Sequence, residues 1–188
     1  MTTQAREYSE TDIYHIYARA NNREYIFSNK EDKEYYISLL KAAKEKYDVK
    51  IFAYAIMDNH LHILMKVTKD NLSRAMKFLQ QSYTYYFNNK YKHSGRIFAQ
   101  RFKSKACRDD IYLTELVKYI HLNPKKAGLD YYYMCSFTSH CFYISDKSSF
   151  CDVNYILSYF SNDITIARKK YLDYLNLPYV YSAKDIYL

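Results

Sequence analysis

The sequence predicts an α+β protein in which helices pack on an antiparallel sheet. The patterns along the chain run strand, helix, strand, strand, helix, strand, helix. The second and third strands are joined only by Asp58-Asn59, which indicates an antiparallel hairpin. The 188 residues include only 2 Gly and 2 Pro, which favours long regular elements. Together these observations favour a ferredoxin-like or RNA-recognition-like layout.

The first half of the chain has clear periodicities. Residues 13–20 are rich in aromatic and β-branched side chains, which predicts a strand. In residues 31–47, Lys and Glu separate apolar residues at nearly helical spacing. Further strands are predicted at residues 49–57 and 60–67. A long helix is predicted at residues 71–91, capped by Asp70 or Asn71.

The second half begins with a basic segment, residues 97–108, that is predicted to be strand for part of its length. Asp109 or Asp110 would cap a helix that runs to about Leu122. Pro124 is predicted to stop this helix, because proline disfavours helical geometry at the preceding residue. After Gly128 the pattern weakens. Residues 131–144 are expected to be aromatic and irregular, and residues 154–175 to form one or two short helices.

The composition favours a polyanionic partner. The formal net charge is +8, and the chain contains 25 Tyr. Lys and Arg release counterions from phosphates, and aromatic rings stack on bases. A basic protein that is merely soluble is the alternative.

The cysteines and the chain ends indicate a cytoplasmic protein. Cys107, Cys135, Cys141 and Cys151 include no CxxC pair, and no signal-like segment precedes them, so free, reduced thiols are expected. A zinc site built from Cys135, His140, Cys141 and Cys151 is the alternative, although its ligand spacing is irregular. No apolar run approaches the length needed to span a membrane.

The sequence His60-Leu61-His62 is the first candidate for chemistry. On a strand, residues i and i+2 point to the same face, so both imidazoles would project together while Leu61 points into the core. Two neighbouring imidazoles are a natural start to a divalent-metal site. Such a pair also arises by chance, so the motif alone is weak.

The helix over residues 111–123 is the second candidate. Its buried stripe is predicted to comprise Leu113, Leu116, Val117 and Ile120. Tyr119 and Asn123 lie off that stripe, one turn apart on a neighbouring face. Tyr119 is either a nucleophile or one of many packing tyrosines. Asn123 is either an oxygen ligand for a hard cation or the C-terminal cap of the helix.

Basic residues interleaved with Phe98 and Phe102 are the third candidate. They suit a groove that follows a nucleic-acid backbone while the rings stack on bases. The alternative is a solvated edge strand protected by charge. The residues predicted to contact DNA are Arg19, Arg96, Arg101, Lys103, Lys105 and Arg108.

Three segments together resemble the IS200/IS605-like single-tyrosine (Y1 HUH) transposases, most closely the branch associated with repetitive extragenic palindromes. They are YHIYARANNREYIF at residues 14–27, AIMDNHLHILM at residues 55–65, and GRIFAQRFKSKACRDDIYLTELVKYIHLNPKKAGL at residues 95–129. The family's order and spacing are kept. Two positions depart from its pattern, since Asp58 stands where proline is common and Ala20 where glycine is common. The resemblance implies a transposase domain over residues 8–130, with residues 131–188 as a helical extension of the same domain.

The resemblance also implies a site and a mechanism. His60 and His62 match the family's histidine pair, Asn123 the amide that joins them on Mg²⁺ or Mn²⁺, and Tyr119 the nucleophile. Tyr119 would attack a phosphate of single-stranded DNA, form a 5′-phosphotyrosine and release a 3′-hydroxyl. The implied partner is DNA whose ends fold into hairpins, and a monomer is favoured over a dimer. The metal, Lys118 or Lys125 would help Tyr119 to ionise.

Two other functions fit the same residues. One is a DNA-binding regulator that keeps the fold without turnover, although such a protein has no need of His60, His62, Tyr119 and Asn123 together. The other is a metal-dependent phosphodiesterase that forms no covalent intermediate. In the phosphodiesterase, Tyr119→Phe would leave activity largely intact, whereas the tyrosine mechanism predicts its loss.

Overall fold

The protein is a four-stranded antiparallel sheet with helices on both faces, as seen in a computed structural model that describes residues 8–182 and residue 186. The strands pair in the order β2-β3-β1-β4. This order, with a helix after β1 and another after β3, is the ferredoxin-like arrangement predicted from the sequence. The strands are β1 (Ile13–Arg19), β2 (Lys50–Ile56), β3 (His60–Lys66) and β4 (Lys103–Ala106).

Helices α1 (Lys30–Tyr47) and α2 (Lys69–Tyr91) cover one face of the sheet. They form because α1 buries Tyr36, Leu39, Leu40 and Ala43 at helical spacing. Alternate residues of the strands, such as Ile16 of β1 and Ile63 of β3, face these helices. This layer forms one of the two hydrophobic cores.

The remaining helices cover the opposite face and build the second core. That core joins Leu64 of β3 and Phe52 of β2 to Leu116, Tyr143 and Tyr171 on the helices. The helices are α3 (Asp110–Lys126), α4 (Tyr131–Phe137), α5 (His140–Tyr143), α6 (Val153–Leu157) and α7 (Ile164–Leu175). Alternation of side chains along the strands therefore lets one sheet serve both cores.

Helices depart from the sequence prediction at the start of α2, within residues 131–144 and at the end of α3. Helix α2 begins at Lys69 after Thr68, so Asp70 and Asn71 lie in its first turn and do not cap it. Residues 131–144 contain two short helices where irregular structure was expected. Helix α3 is capped as predicted, by the Asp109 carboxylate that accepts from the Tyr112 amide at 2.7 Å.

The prediction that Pro124 stops α3 is wrong, because the helix runs on to Lys126. Pro124 lies in the last turn, where the hydrogen bond that it removes and the crowding by its ring affect only the end of the helix. The chain then closes on the last turn, where the Ala127 amide donates to the Asn123 carbonyl at 3.1 Å and the Leu129 amide donates to the Pro124 carbonyl at 2.9 Å.

The expectation of free thiols is wrong for one pair of cysteines. Cys135 and Cys141 form a disulfide, with Cα atoms 4.8 Å apart, because the short link between α4 and α5 brings them together. Both sulfurs are thereby engaged, which removes them from the alternative zinc site. Cys107 and Cys151 are free and buried, as expected.

Among the residues that the structure describes, none of the helices combines the length and apolar character needed to cross a bilayer.

Candidate functional site

Strand β3 presents His60 and His62 on the face of the sheet that α3 covers. Their ring centroids are 5.3 Å apart, with the planes perpendicular. Leu61 and Ile63 point to the opposite core, as the alternation predicted. The neighbouring strand β1 places Tyr17 against both imidazoles, at centroid distances of 5.8 Å from His60 and 5.1 Å from His62. Tyr17 escaped the sequence analysis because nothing local distinguishes it among so many tyrosines.

Helix α3 brings Tyr119 to the histidines. The predicted stripe of Leu113, Leu116, Val117 and Ile120 is buried against the sheet, which fixes the rotation of the helix. The Tyr119 ring then stands edge-on to His62, with centroids 5.2 Å apart. The side chain is only 4% exposed. The packing of one apolar stripe therefore places this particular tyrosine, out of the many in the chain, beside the imidazole pair.

Asn123 lies one turn after Tyr119 and hydrogen-bonds the His60 imidazole through its side chain. The alternative in which Asn123 caps the helix is wrong, because Ala127 occupies that position. The structure therefore gathers the sequence-predicted His60, His62, Tyr119 and Asn123 on one face of the sheet.

Hydrogen bonds hold both imidazoles by the same ring atom. The His60 Nδ1 lies 2.7 Å from the Asn59 Oδ1, and the His62 Nδ1 lies 3.0 Å from the His15 Nε2. The Nε2 of His62 is left for another partner, whereas His60 also bonds the Asn123 side chain. His15 was missed in the sequence, although its signal was present. It is a histidine inside an apolar strand, and the alternation of β1 puts it on the same face as Tyr17.

The electrostatics of the site favour neutral imidazoles. Burial lowers the pKa of His62 well below its ordinary value, and the neighbouring His15 and His60 lower it further. Burial also lowers the pKa of His60, while its hydrogen bond with Asn123 opposes that shift. Neutral imidazole is the form that carries a lone pair for a metal.

The donor set fits a hard divalent cation. Within residues 8–182 and 186, no cluster of three or more His, Cys, Asp and Glu side chains is placed to hold a metal ion. A cation at this site would use the amide oxygen of Asn123 with His60 and His62, which lie on the same face. Three protein ligands would leave coordination positions open for oxygens of a substrate.

The predicted DNA-contacting residues fall into two groups. Arg19 pairs with His60 across β1 and β3, and Lys103 and Lys105 of β4 pair with Tyr17 and His15, so all three lie on the histidine face. The remaining residues are exposed around β4: Arg96, Arg101 and Arg108. Arg96 and Arg101 precede the strand in sequence, and Arg108 follows it after Cys107.

The structure places Lys126 beside the Tyr119 ring, whereas the sequence suggested Lys118 or Lys125. The Lys118 ammonium is buried and donates to the carbonyls of Leu177 and Pro178. Lys125 instead lines a cavity of about 400 Å³ on the side of α3 that faces α7. Lys126 lies with its ammonium 5.0 Å from the centroid of the Tyr119 ring. A helix turn of 3.6 residues places residue 126, rather than 125, above residue 119.

The turn before His60 is fixed by a buried lysine. Asp58 accepts hydrogen bonds from the Lys33 ammonium at 2.8 Å and from the Tyr133 hydroxyl at 3.2 Å. Lys33 is 2% exposed and also donates to the Phe27 carbonyl. These bonds hold the turn at the position where the resembling family commonly has proline. The departure at Asp58 is thus accommodated by partners on α1 and α4.

The sheet order, the imidazole pair and the adjacent tyrosine define a candidate phosphate-transfer site on an α+β scaffold. The family model described as "Transposase IS200 like" matches residues 9–123, more than half of the chain. The chain belongs to the family of IS200-like transposases.

Two proteins illustrate how far the likeness extends. A putative REP-associated tyrosine transposase of Haemophilus influenzae is 32% identical over 103 residues, which is 48% of this chain and 58% of the relative. The chain thus spans less than two thirds of that relative's length. A solved REP-associated tyrosine transposase bound to a REP hairpin matches with a TM-score of 0.57 and 19% identity, covering 69% of this chain and 76% of the other. That likeness shows the shared fold.

Proposed function

We propose that this protein is a metal-dependent transposase that nicks and rejoins single-stranded DNA through a 5′-phosphotyrosine on Tyr119. The observation that carries the proposal is the edge-on contact between the Tyr119 ring and His62, at a centroid distance of 5.2 Å, on the face that also holds His60 and Asn123. The proposed nucleophile and the proposed cation ligands are therefore neighbours. The matching family model supports the same assignment.

In the proposed reaction, the Tyr119 oxygen forms a bond to phosphorus and the bond from phosphorus to the 3′ oxygen breaks. The phenol loses its proton and the departing 3′ oxygen gains one. His60, His62 and Asn123 would hold Mg²⁺ or Mn²⁺, which when bound supplies positive charge against the nonbridging phosphate oxygens. A 3′-hydroxyl from a second strand reverses the step, so the bond energy is kept and no ATP is needed.

A lysine lies beside the proposed nucleophile. The Lys126 ammonium, 5.0 Å from the ring centroid, favours the negative charge that develops on the phenolate. Because Tyr119 is only 4% exposed, a phosphate reaches its hydroxyl after neighbouring side chains move. Desolvation of the occupied site then strengthens each of these electrostatic interactions.

The proposed substrate is single-stranded DNA that folds into a hairpin with unpaired flanks. Arg19, Lys103 and Lys105 line the histidine face and would hold the backbone, since cations on one face neutralise successive phosphates. The structural neighbour is bound to a REP hairpin, and this supports the same class of partner here.

The test is a denaturing gel of purified protein with a labelled single-stranded oligonucleotide. The oligonucleotide comes from DNA that flanks the gene, and it folds into a hairpin with unpaired ends. Mn²⁺ is compared with EDTA, and wild type with Tyr119→Phe. The matched control is Tyr143→Phe, because Tyr143 is a buried tyrosine of the same core whose hydroxyl donates to the Phe52 carbonyl at 2.8 Å.

We expect a protein–DNA adduct that survives denaturation, requires Mn²⁺, is absent from Tyr119→Phe and is retained by Tyr143→Phe. Cleavage without an adduct, unchanged in Tyr119→Phe, would establish the hydrolytic phosphodiesterase instead. Binding of the oligonucleotide without cleavage would favour the DNA-binding regulator.

A further inference from the structure

His15 is a buried histidine that the proposed reaction does not use. It lies in the middle of β1, is 0% exposed and contacts the rings of His62 and Tyr119 at centroid distances of 5.2 and 5.8 Å. Its Nε2 is 3.0 Å from the Nδ1 of His62, a hydrogen-bond distance. The side chain thus touches a proposed metal ligand without being one of the proposed ligands itself.

The hydrogen between the two rings decides which atom of His62 is free to bind a metal. A neutral imidazole carries one hydrogen, on either Nδ1 or Nε2. If the His62 Nδ1 donates to the His15 Nε2, the His62 Nε2 keeps its lone pair. If His15 donates instead, the His62 Nε2 carries the hydrogen and is blocked. Only the first arrangement is compatible with metal ligation by the Nε2 of His62.

His60 provides the comparison within the same site. Its Nδ1 lies 2.7 Å from an amide oxygen, that of Asn59, which accepts and does not donate. The hydrogen of His60 therefore sits on Nδ1 and its Nε2 is left as an acceptor. His15 stands in the corresponding position for His62, on the same ring atom. His60 and His62 are then both oriented by a hydrogen bond at Nδ1.

A histidine at this position lowers the stability of the folded protein. The His15 Nδ1 is buried and has no hydrogen-bond partner among the described residues. Leaving a buried polar atom unsatisfied destabilises the folded protein. An apolar side chain would fill the space between β1 and α3 without that cost. Packing alone therefore does not account for an imidazole here, whereas a hydrogen bond to His62 does.

We propose that His15 is a positioning residue that accepts the Nδ1 hydrogen of His62, fixes the plane of that ring and leaves its Nε2 as the metal-binding atom. The inference rests on the proposed function, because it concerns the metal site that the reaction would use. Removal of a residue that hydrogen-bonds a metal ligand typically weakens metal binding about 10–100-fold.

The experiment measures the Mn²⁺ dissociation constant of the purified protein by the loss of the free Mn²⁺ signal in electron paramagnetic resonance. His15→Phe removes the acceptor and retains a ring. His15→Gln keeps a polar group near the position of Nε2. The control is His140→Phe, since His140 is a buried histidine that bonds the Tyr171 hydroxyl. Thermal unfolding checks that each variant is folded.

We expect His15→Phe to weaken Mn²⁺ binding by about 10–100-fold. His15→Gln should recover most of the affinity, and His140→Phe should leave it unchanged. Adduct formation by His15→Phe should return when Mn²⁺ is raised to saturation, because the nucleophile is intact. Wild-type affinity in a folded His15→Phe variant would overturn the inference.

A second measurement needs no substitution. Nitrogen-15 spectra of the imidazoles in wild-type protein with saturating Mg²⁺ report which His62 nitrogen carries the hydrogen. We expect Nδ1, and a hydrogen on Nε2 would overturn the inference even if His15→Phe does not fold. Mn²⁺ binding that is absent from wild type would overturn the proposed metal site, and the role of His15 with it. Binding lost in His62→Ala but untouched in His15→Phe would overturn the role of His15 alone.

Discussion

Acid should destabilise the protein through a buried histidine network that lies outside the candidate site. His140 and His121 each place Nδ1 2.8 Å from the Tyr171 hydroxyl, and the His121 Nε2 lies 2.6 Å from the Ser139 hydroxyl oxygen. The hydroxyl of Tyr171 has one hydrogen, so it donates to one imidazole and accepts from the other. This network joins α3, α5 and α7, and both imidazoles are neutral in the folded protein.

The magnitude follows from the pKa of His140. Burial lowers this pKa from 6.5 to about 4. Above pH 6.5 neither the folded nor the unfolded imidazole is charged, so the group has no effect on stability. Between pH 6.5 and 4 the unfolded state binds a proton that the folded state does not, so stability falls as the pH falls. The full difference corresponds to about 3 kcal/mol, reached near pH 4.

The assay is urea unfolding at a series of pH values from 7.5 to about 4.5, followed by circular dichroism. The perturbation is His140→Phe, and the measured quantity is the change in unfolding free energy with pH. In His140→Phe, lost packing and the lost hydrogen bond to Tyr171 change the unfolding free energy equally at every pH. Loss of the titrating imidazole instead changes the slope of the unfolding free energy against pH. Below pH 6.5 we expect the variant to lose less stability per pH unit than wild type, by up to about 1.4 kcal/mol.

Tyr171→Phe is the control, because it removes the shared hydroxyl but retains both buried imidazoles. It should lower stability at every pH and keep the wild-type slope, since burial is the largest cause of the lowered pKa of His121 and the cause of the lowered pKa of His140. Parallel curves for wild type and His140→Phe would refute the reasoning, because they would mean that His140 takes up its proton equally in both states.

Two further predictions concern buried side chains. Leu116→Ala should lower the unfolding free energy measured in urea by about 2–5 kcal/mol, because Leu116 is fully buried and its truncation leaves a cavity. Leu122 is half-buried, so Leu122→Ala should lower it clearly less. Equal losses would contradict this assignment of the α3 stripe. Burial raises the pKa of the Cys107 and Cys151 thiols to about 12. Iodoacetamide at pH 8 should therefore label them only in unfolded protein, and rapid labelling of native protein, read by mass spectrometry, would argue against their burial.

Periodic patterns of apolar residues along the chain were sufficient to predict which side chains of the strands and helices are buried. The alternation in residues 60–67 correctly predicted that His60 and His62 share a face and that Leu61 points into the core. The helical spacing of Leu113, Leu116, Val117 and Ile120 correctly predicted the buried stripe of α3. The chemical roles of these residues remain predictions, which the adduct and metal-binding experiments test.

Contacts between elements required the tertiary structure. Nothing local in β1 indicates that His15 meets His62, because the residues are 47 apart in sequence and the register of two strands brings them together. The same is true of Lys33 and Asp58, which are joined only once α1 packs on the sheet. Sequence reasoning also chose Lys118 and Lys125 as neighbours of Tyr119, whereas Lys126 lies over its ring.

The sequence by itself therefore determined which residues share a face of a strand or helix, because those positions follow from 2-residue and 3.6-residue repeats of the backbone. The tertiary structure decided which faces meet, how far α3 continues past Pro124 and which cysteines bond. Which faces meet depends on packing between segments distant in sequence, where the burial of apolar side chains dominates. The end of α3 and the disulfide depend on how nearby segments fold, because the amides of Ala127 and Leu129 close the last turn and a short link brings Cys135 to Cys141.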